Sequence, residues 1–145
     1  MSELIQHSNI IEWRFERQIL RIEPWGENSV RVRATCAADF SDALQALLPA
    51  SPCSAEITAE AERLTLRNGN ILATLNLKGQ LAFYNARGEL LLEEMWRQRS
   101  TVGIGASEKS QDKYVSALKL DGREFKPLAG GKYQLTVRFE SRADE

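Results

Sequence analysis

The sequence is poor in the side chains that most reactions recruit. It has one histidine, two cysteines and two methionines among 145 residues. A Ser-His-Asp arrangement needs a positioned base, and His7 falls within residues 1–10, which are expected to form a loose N-terminal tail. Four-coordinate metal sites need clustered Cys, His or carboxylate ligands. With so few, no metal and no cofactor is expected. Cys36 and Cys53 could form one disulfide, but the compartment argument favours reduced thiols. An excess of one charge is also missing. Nineteen basic residues against 20 acidic ones leave a net charge of −1, so no global field draws in nucleic acid or an anionic membrane. No apolar run approaches the roughly 18 residues that span a bilayer. The opening "MSELIQHSNIIEW" lacks a basic region followed by an apolar one, so a cytoplasmic location is expected.

What is present is alternation. Ile11, Trp13 and Phe15 alternate with Glu12, Arg14 and Glu16, the pattern of a strand with one wet face. Leu20 and Ile22 continue it, and "EPWGENS" turns the chain, since Pro24 donates no ladder hydrogen bond and Gly26 tolerates positive φ. Val30, Val32 and Ala34 then alternate with Arg31, Arg33 and Thr35. Phe40, Ala43, Leu44, Leu47 and Leu48 instead follow helical spacing, and Pro49 and Pro52 stop it, so one short helix is expected around residues 40–48. Beyond it, "RLTLR" and "ILATLNL" flank "NGN", a hairpin signal in which both turn residues take φ > 0. Gly79 and "NARG" punctuate two further strands, which predicts a four-stranded antiparallel meander. Residues 97–113, "RQRSTVGIGASEKSQDK", are polar and aperiodic and read as a long exposed loop. Strand signals return at "YVSALKL", Asp121-Gly122 offers a turn, and "KYQLTVRFE" alternates without a break. One domain of 145 residues buries about 70% of its unfolded surface. Many short strands with regular turns predict an all-β antiparallel sandwich.

Chemistry is harder to find. Arg21, Arg31 and Arg33 share the polar parity of their strands with Glu23 and Glu27 nearby, which reads as a solvated, partly ion-paired sheet face. Glycoside hydrolysis needs two carboxyl groups held about 5–5.5 or 6.5–9.5 Å apart. Glu93 and Glu94 are adjacent, so on a strand they point to opposite faces. Glu60 and Glu62 share a parity but no acidic pocket is implied around them. "VGIGAS" places Glu108 where a dinucleotide fingerprint needs its third glycine, and "GGKY" has Tyr133 in place of the phosphate-loop Ser/Thr, with Lys126 in place of its first glycine. No catalytic residue is assigned. Trp13 lies on the apolar parity and reads as core. Trp25, in a turn, and Trp96, at the mouth of the long loop, are the candidate contact residues, for a sugar face or for a domain interface.

Three blocks carry a family resemblance. "QILRIEPWGENSVRVRAT", "NGNILATLNLKGQLAFYNARGELLLEE" and "FKPLAGGKYQLTVRFESRADE" resemble, in order, the opening strands, the next meander of the same domain and the strand just before a Tyr/Phe-Gly-x-Gly segment in glycoside hydrolase family 31, the α-glucosidase and α-xylosidase family. The resemblance runs from about Trp13 to Glu145. It implies a galactose-mutarotase-like β-sandwich over residues 11–145, packed in relatives beside a (β/α)8 barrel. That barrel carries the catalytic pair, an Asp nucleophile in a Trp-x-Asp-like strand motif and a second Asp as acid/base. Neither motif occurs here, so the resemblance implies a non-catalytic and truncated N-terminal domain of a retaining α-glycosidase. Its partner is then the barrel of its parent chain, with residues 97–113 a candidate lip of the substrate pocket. A stand-alone carbohydrate-binding module and a purely structural interaction domain are the alternatives. Exposed strand edges leave self-association open.

Overall fold

A computed structural model describes residues 1–41, 53–94 and 123–141. Among them are twelve strands: β1 Glu3–Gln6, β2 Ile11–Phe15, β3 Gln18–Pro24, β4 Val30–Thr35, β5 Glu56–Glu60, β6 Arg63–Asn68, β7 Ile71–Asn76, β8 Leu81–Tyr84, β9 Leu90–Glu94, β10 Arg123–Pro127, β11 Tyr133–Val137 and β12 Phe139–Ser141. All the strand pairs are antiparallel. β1-β2-β3-β4 form one sheet, β12-β9-β8-β7-β6-β5 a second, and β10-β11 a separate ribbon.

The alternation dictates how the sheets meet. Ile11, Trp13 and Phe15 of β2 and Leu20 and Ile22 of β3 face Leu64 and Leu66 of β6, Ala73 and Leu75 of β7, and Leu81 of β8. These residues form one buried core between two sheets, an all-β sandwich. Trp13 is its largest member, 1% exposed, and its indole Nε1 donates to the Leu77 carbonyl at 3.0 Å. The ring lies so close to the β7–β8 turn that a Cβ on Gly79 (φ 85°) would sit 2.6 Å from it. Only glycine fits both that contact and that backbone.

Turn chemistry fixes the registers. Asn76 Oδ1 accepts the amides of Lys78 (3.1 Å) and Gln80 (3.0 Å), and Asn85 Oδ1 those of Arg87 (2.9 Å) and Glu89 (3.0 Å). The same Asx device therefore closes two successive turns. The "NGN" hairpin is present, but its two-residue loop is Gly69-Asn70, and Gly69 alone of the pair is left-handed (φ 58°). Glycine occupies the first central position, as II′ geometry requires, instead of both positions being left-handed.

The structure differs from the sequence reading in three further ways. Residues 3–6 lie inside the expected N-terminal tail, yet they form β1, with Leu4 packed on the core opposite Trp13. β5 adds a fifth strand before the predicted meander. The run "KYQLTVRFE" is two strands: β11 pairs with β10, and past Arg138 β12 joins β9 at the edge of the larger sheet. The helix expected over 40–48 falls outside the described residues except at Phe40 and Ser41, which are not helical. The 97–113 loop, the "YVSALKL" strand and the Asp121-Gly122 turn also fall outside them. Among the described residues, no helix is long and apolar enough to cross a membrane.

Candidate functional site

Three polar assemblies are built on this frame. The first covers the outer face of the four-stranded sheet. Register sets Glu12, Arg21 and Arg33 side by side across β2, β3 and β4, with Glu23 beside Arg31. Glu12 Oε1 accepts from Arg21 Nε at 2.5 Å, and Oε2 accepts from Arg14 Nε (3.1 Å) and Nη2 (2.9 Å). His7 Nε2 lies 3.6 Å from the same oxygen. Glu23 Oε1 binds Arg31 Nε at 2.8 Å and lies 2.9 Å from Arg33 Nε. The pairing expected from the sequence is there; the solvation is not. Arg21 and Arg33 retain 19% of their side-chain exposure, Arg31 12%, and Glu12 none. Aromatic rings account for part of the cover: Phe40 lies 4.6 Å from the Arg21 guanidinium and 4.7 Å from that of Arg33. Burial works to raise the Glu12 pKa, but the Arg14 and Arg21 hydrogen bonds and charges outweigh it and the net direction is down.

The second assembly surrounds Trp25, a sequence-predicted contact residue. Asn68, 3% exposed, donates through Nδ2 to the carbonyls of Gly26 (2.8 Å) and Ser29 (2.7 Å), and the Asn70 amide donates to Asn28 Oδ1 at 2.9 Å. The Gly69 turn of one sheet is thereby stitched to the β3–β4 connection of the other. Within that connection Ser29 Oγ donates to the Trp25 carbonyl. Trp25 is half-buried, and the Arg31 guanidinium lies 3.9 Å from its ring centroid, covering one face. Trp96 falls outside the described residues.

The third assembly was missed by sequence reasoning. Glu94 ends β9 and Arg123 begins β10. Their side chains are 3% and 1% exposed, and they form a bidentate pair, Nε to Oε1 at 3.1 Å and Nη2 to Oε2 at 3.0 Å. Arg123 Nη2 also donates to the Gly79 carbonyl at 2.6 Å, the Leu81 amide donates to Glu94 Oε2 at 3.3 Å, and the guanidinium sits 5.3 Å from the Trp13 ring centroid. Its remaining nitrogen, Nη1, is buried without a hydrogen-bond partner. A signal did exist: Glu94 shares the inward parity of Leu92, and Arg123 that of Phe125. A charge at an apolar position on each of two strands is the mark of an internal pair.

Chemically these groups hold rather than react. Glu12, Glu23 and Glu94 are each engaged by arginines, and Glu93 opposes Ala82 on the other face from Glu94. Glu60 and Glu62 line an open, polar depression with Arg63, Asn76, Lys78 and Gln80. Among the described residues no three of His, Cys, Asp and Glu come together in a way that could hold a metal ion. Cys36 and Cys53 are free thiols, and burial pushes the Cys36 pKa up.

No family model matches the chain. Over all 145 residues it is 81% identical to an uncharacterized family 31 glucosidase of Pseudescherichia vulneris, and it spans 27% of that protein's length. Among solved structures it matches a GH31 α-xylosidase from a soil metagenome, complexed with xylose, at 46% identity and a TM-score of 0.79. That match takes in 99% of this chain and 21% of the xylosidase. A GH31 α-xylosidase from Xanthomonas citri, at 20% identity and a TM-score of 0.59, shares the fold over 99% of this chain and 13% of its own. The chain thus spans about a quarter or less of the length of these relatives.

Proposed function

Taking the chain as a segment of glycoside hydrolase family 31, we propose that it is the non-catalytic N-terminal β-sandwich of a retaining α-glycosidase. The parent protein hydrolyses α-linked glucosides or xylosides through a covalent glycosyl–enzyme intermediate. The catalytic barrel of the parent chain is the sandwich's partner. One observation carries this reading: the chain aligns with only a fraction of family 31 glycosidases, 27% of the Pseudescherichia vulneris protein and 21% of the soil-metagenome α-xylosidase. The commitment of Glu12, Glu23 and Glu94 to arginines agrees with it, because a carboxylate locked in an ion pair is a poor acid or nucleophile. The parent's reading frame tests it. A barrel with two separated catalytic aspartates is expected beyond these residues; an open frame encoding no barrel removes the basis for the assignment.

In this reading Trp25 and Trp96 contribute to domain contacts. Arg31 already covers one face of Trp25, which weighs against a sugar platform there. Titration with maltose, isomaltose and xylosyl-glucose is expected to leave tryptophan fluorescence unchanged. A saturable response lost in Trp25→Ala or Trp96→Ala would support the carbohydrate-binding module instead. The free thiols of Cys36 and Cys53 support a reducing, cytoplasmic compartment for the parent.

A further inference from the structure

We propose that the Asn68-Gly69 peptide is a site of spontaneous deamidation, and that the inter-sheet stitch through the Asn68 amide holds the reaction back. The inference does not depend on the family reading. Of the six asparagines in the chain only Asn68 precedes glycine; the others precede Ile, Ser, Ile, Leu and Ala. A side chain on the following residue crowds the attack, so glycine makes it fastest. The Gly69 backbone nitrogen gives its proton to solvent base and bonds to Asn68 Cγ. The Cγ–Nδ2 bond breaks, and the amide nitrogen leaves as ammonia. Water then opens the resulting succinimide at either carbonyl, which leaves an aspartyl or an isoaspartyl residue at position 68.

The structure fixes both halves of this labile pair. Position 68 supplies two N–H donors, to the carbonyls of Gly26 (2.8 Å) and Ser29 (2.7 Å), from a site 3% exposed. An asparagine amide can do this and a carboxylate cannot. Position 69 holds φ 58°, and a Cβ there would run into Asn28 Oδ1 and the Glu27 carbonyl, so glycine is required. The fold therefore carries a labile dipeptide at a joint between its sheets, and shields it there. Both bonds hold the leaving nitrogen in place, so Asn68 Cγ meets the Gly69 nitrogen productively only when the stitch opens. The step is one-way. An aspartyl group at position 68 aims carboxylate oxygens at two carbonyl oxygens where donors stood. An isoaspartyl linkage adds a methylene to the backbone where Asn68 pairs with Ile71. The Ser29 carbonyl also accepts the Trp25 amide at 2.9 Å, so losing the stitch loosens the connection that carries Trp25.

Mass spectrometry that assigns the conversion to single residues tests this. The 145-residue chain is incubated in mildly alkaline buffer, with and without denaturing guanidinium chloride. Conversion at Asn68 is expected to be about tenfold or more slower in the folded chain, since it then proceeds only through local opening. Asn28→Ala removes the acceptor of the Asn70 amide (2.9 Å) from the same stitch. It is expected to speed conversion at Asn68 in the folded chain by about threefold or more. Equal rates with and without denaturant overturn the proposal, as does an Asn68 that stays unconverted in denaturant. So does an Asn28→Ala chain that converts no faster than wild type, because the protection then belongs to the fold at large. The converted chain is then separated by ion exchange, on its added negative charge, and refolded beside unconverted chain carried through the same steps. It is expected to unfold at lower denaturant or not to refold at all. An equal midpoint overturns the claim that conversion disables the joint.

Discussion

Two glutamates of this molecule have lost nearly all contact with solvent, and they did so by different routes. Glu12 lies on the outer, polar face of the four-stranded sheet and is buried under its own neighbours: Arg14 is two residues away, and Arg21 sits directly across the hairpin. Glu94 lies on the inward face of the larger sheet, and its partner Arg123 comes from 29 residues along the chain. Glu12 keeps partially exposed arginines on its wet side. Glu94 has a guanidinium 1% exposed and no solvent to fall back on. The contrast teaches that burial alone does not set what a charge contributes. What matters is whether water can take over when the partner is removed.

The largest expected effect follows from that difference. Arg123→Ala strands the Glu94 carboxylate in the interior and is expected to cost about 3–5 kcal/mol, read from urea unfolding. Glu94→Leu combined with Arg123→Met should recover most of the loss, since replacing both charges removes the stranded group. A double variant as weak as Arg123→Ala would equate the two sites and remove the contrast. Next in size is the glycine beneath the same assembly. Gly79→Ala drives a methyl into the Trp13 ring at a left-handed backbone and is expected to cost about 2–4 kcal/mol.

Glu12→Gln should cost less, about 1–3 kcal/mol, because Arg14 and Arg21 reach water once the charge is gone. Its signature is the pH dependence. The folded-state pKa of Glu12 is lowered, so its contribution is present in full above the ordinary glutamate range and is lost as pH falls through the lower folded value. The wild-type chain should therefore lose more stability than Glu12→Gln between about pH 4.3 and more acidic solution. Parallel acid limbs for the two proteins would show that Glu12 carries no such linkage. At the small end stands Glu16→Gly. Glu16 is exposed and holds φ 52° in the β2–β3 turn, and the substitution should stabilise by about 0.5 kcal/mol, left-handed strain slightly outweighing the added chain entropy of glycine.

The same contrast explains what could be read in the sequence. β2, β3, β4 and β6 to β8 were legible because apolar parity and Asn- or Gly-based turns agree along them. Trp13 was legible as core for the same reason. β1 was hidden because "ELIQ" is four residues long, and β5 because "EITAE" is mostly exposed and brings Ile57 alone against the core. The split between β11 and β12 leaves no mark on parity, since Arg138 continues the alternation while the chain changes sheets. Glu12 was visible as a paired surface charge, but its complete burial depends on long side chains lying across it. The Glu94–Arg123 pair was obscured by "LLLEE", where a register shift at Phe83/Tyr84 disturbs the alternation, and by the distance between the partners along the chain.

The central claim is that these residues support a glycosidase without performing its chemistry. The most direct measurement is the initial rate of nitrophenol release from α-xyloside and α-glucoside substrates by the purified 145-residue chain, its cooperative unfolding in urea first verified. The account predicts a rate indistinguishable from buffer. Saturable turnover by this chain, persisting through purification, would contradict it.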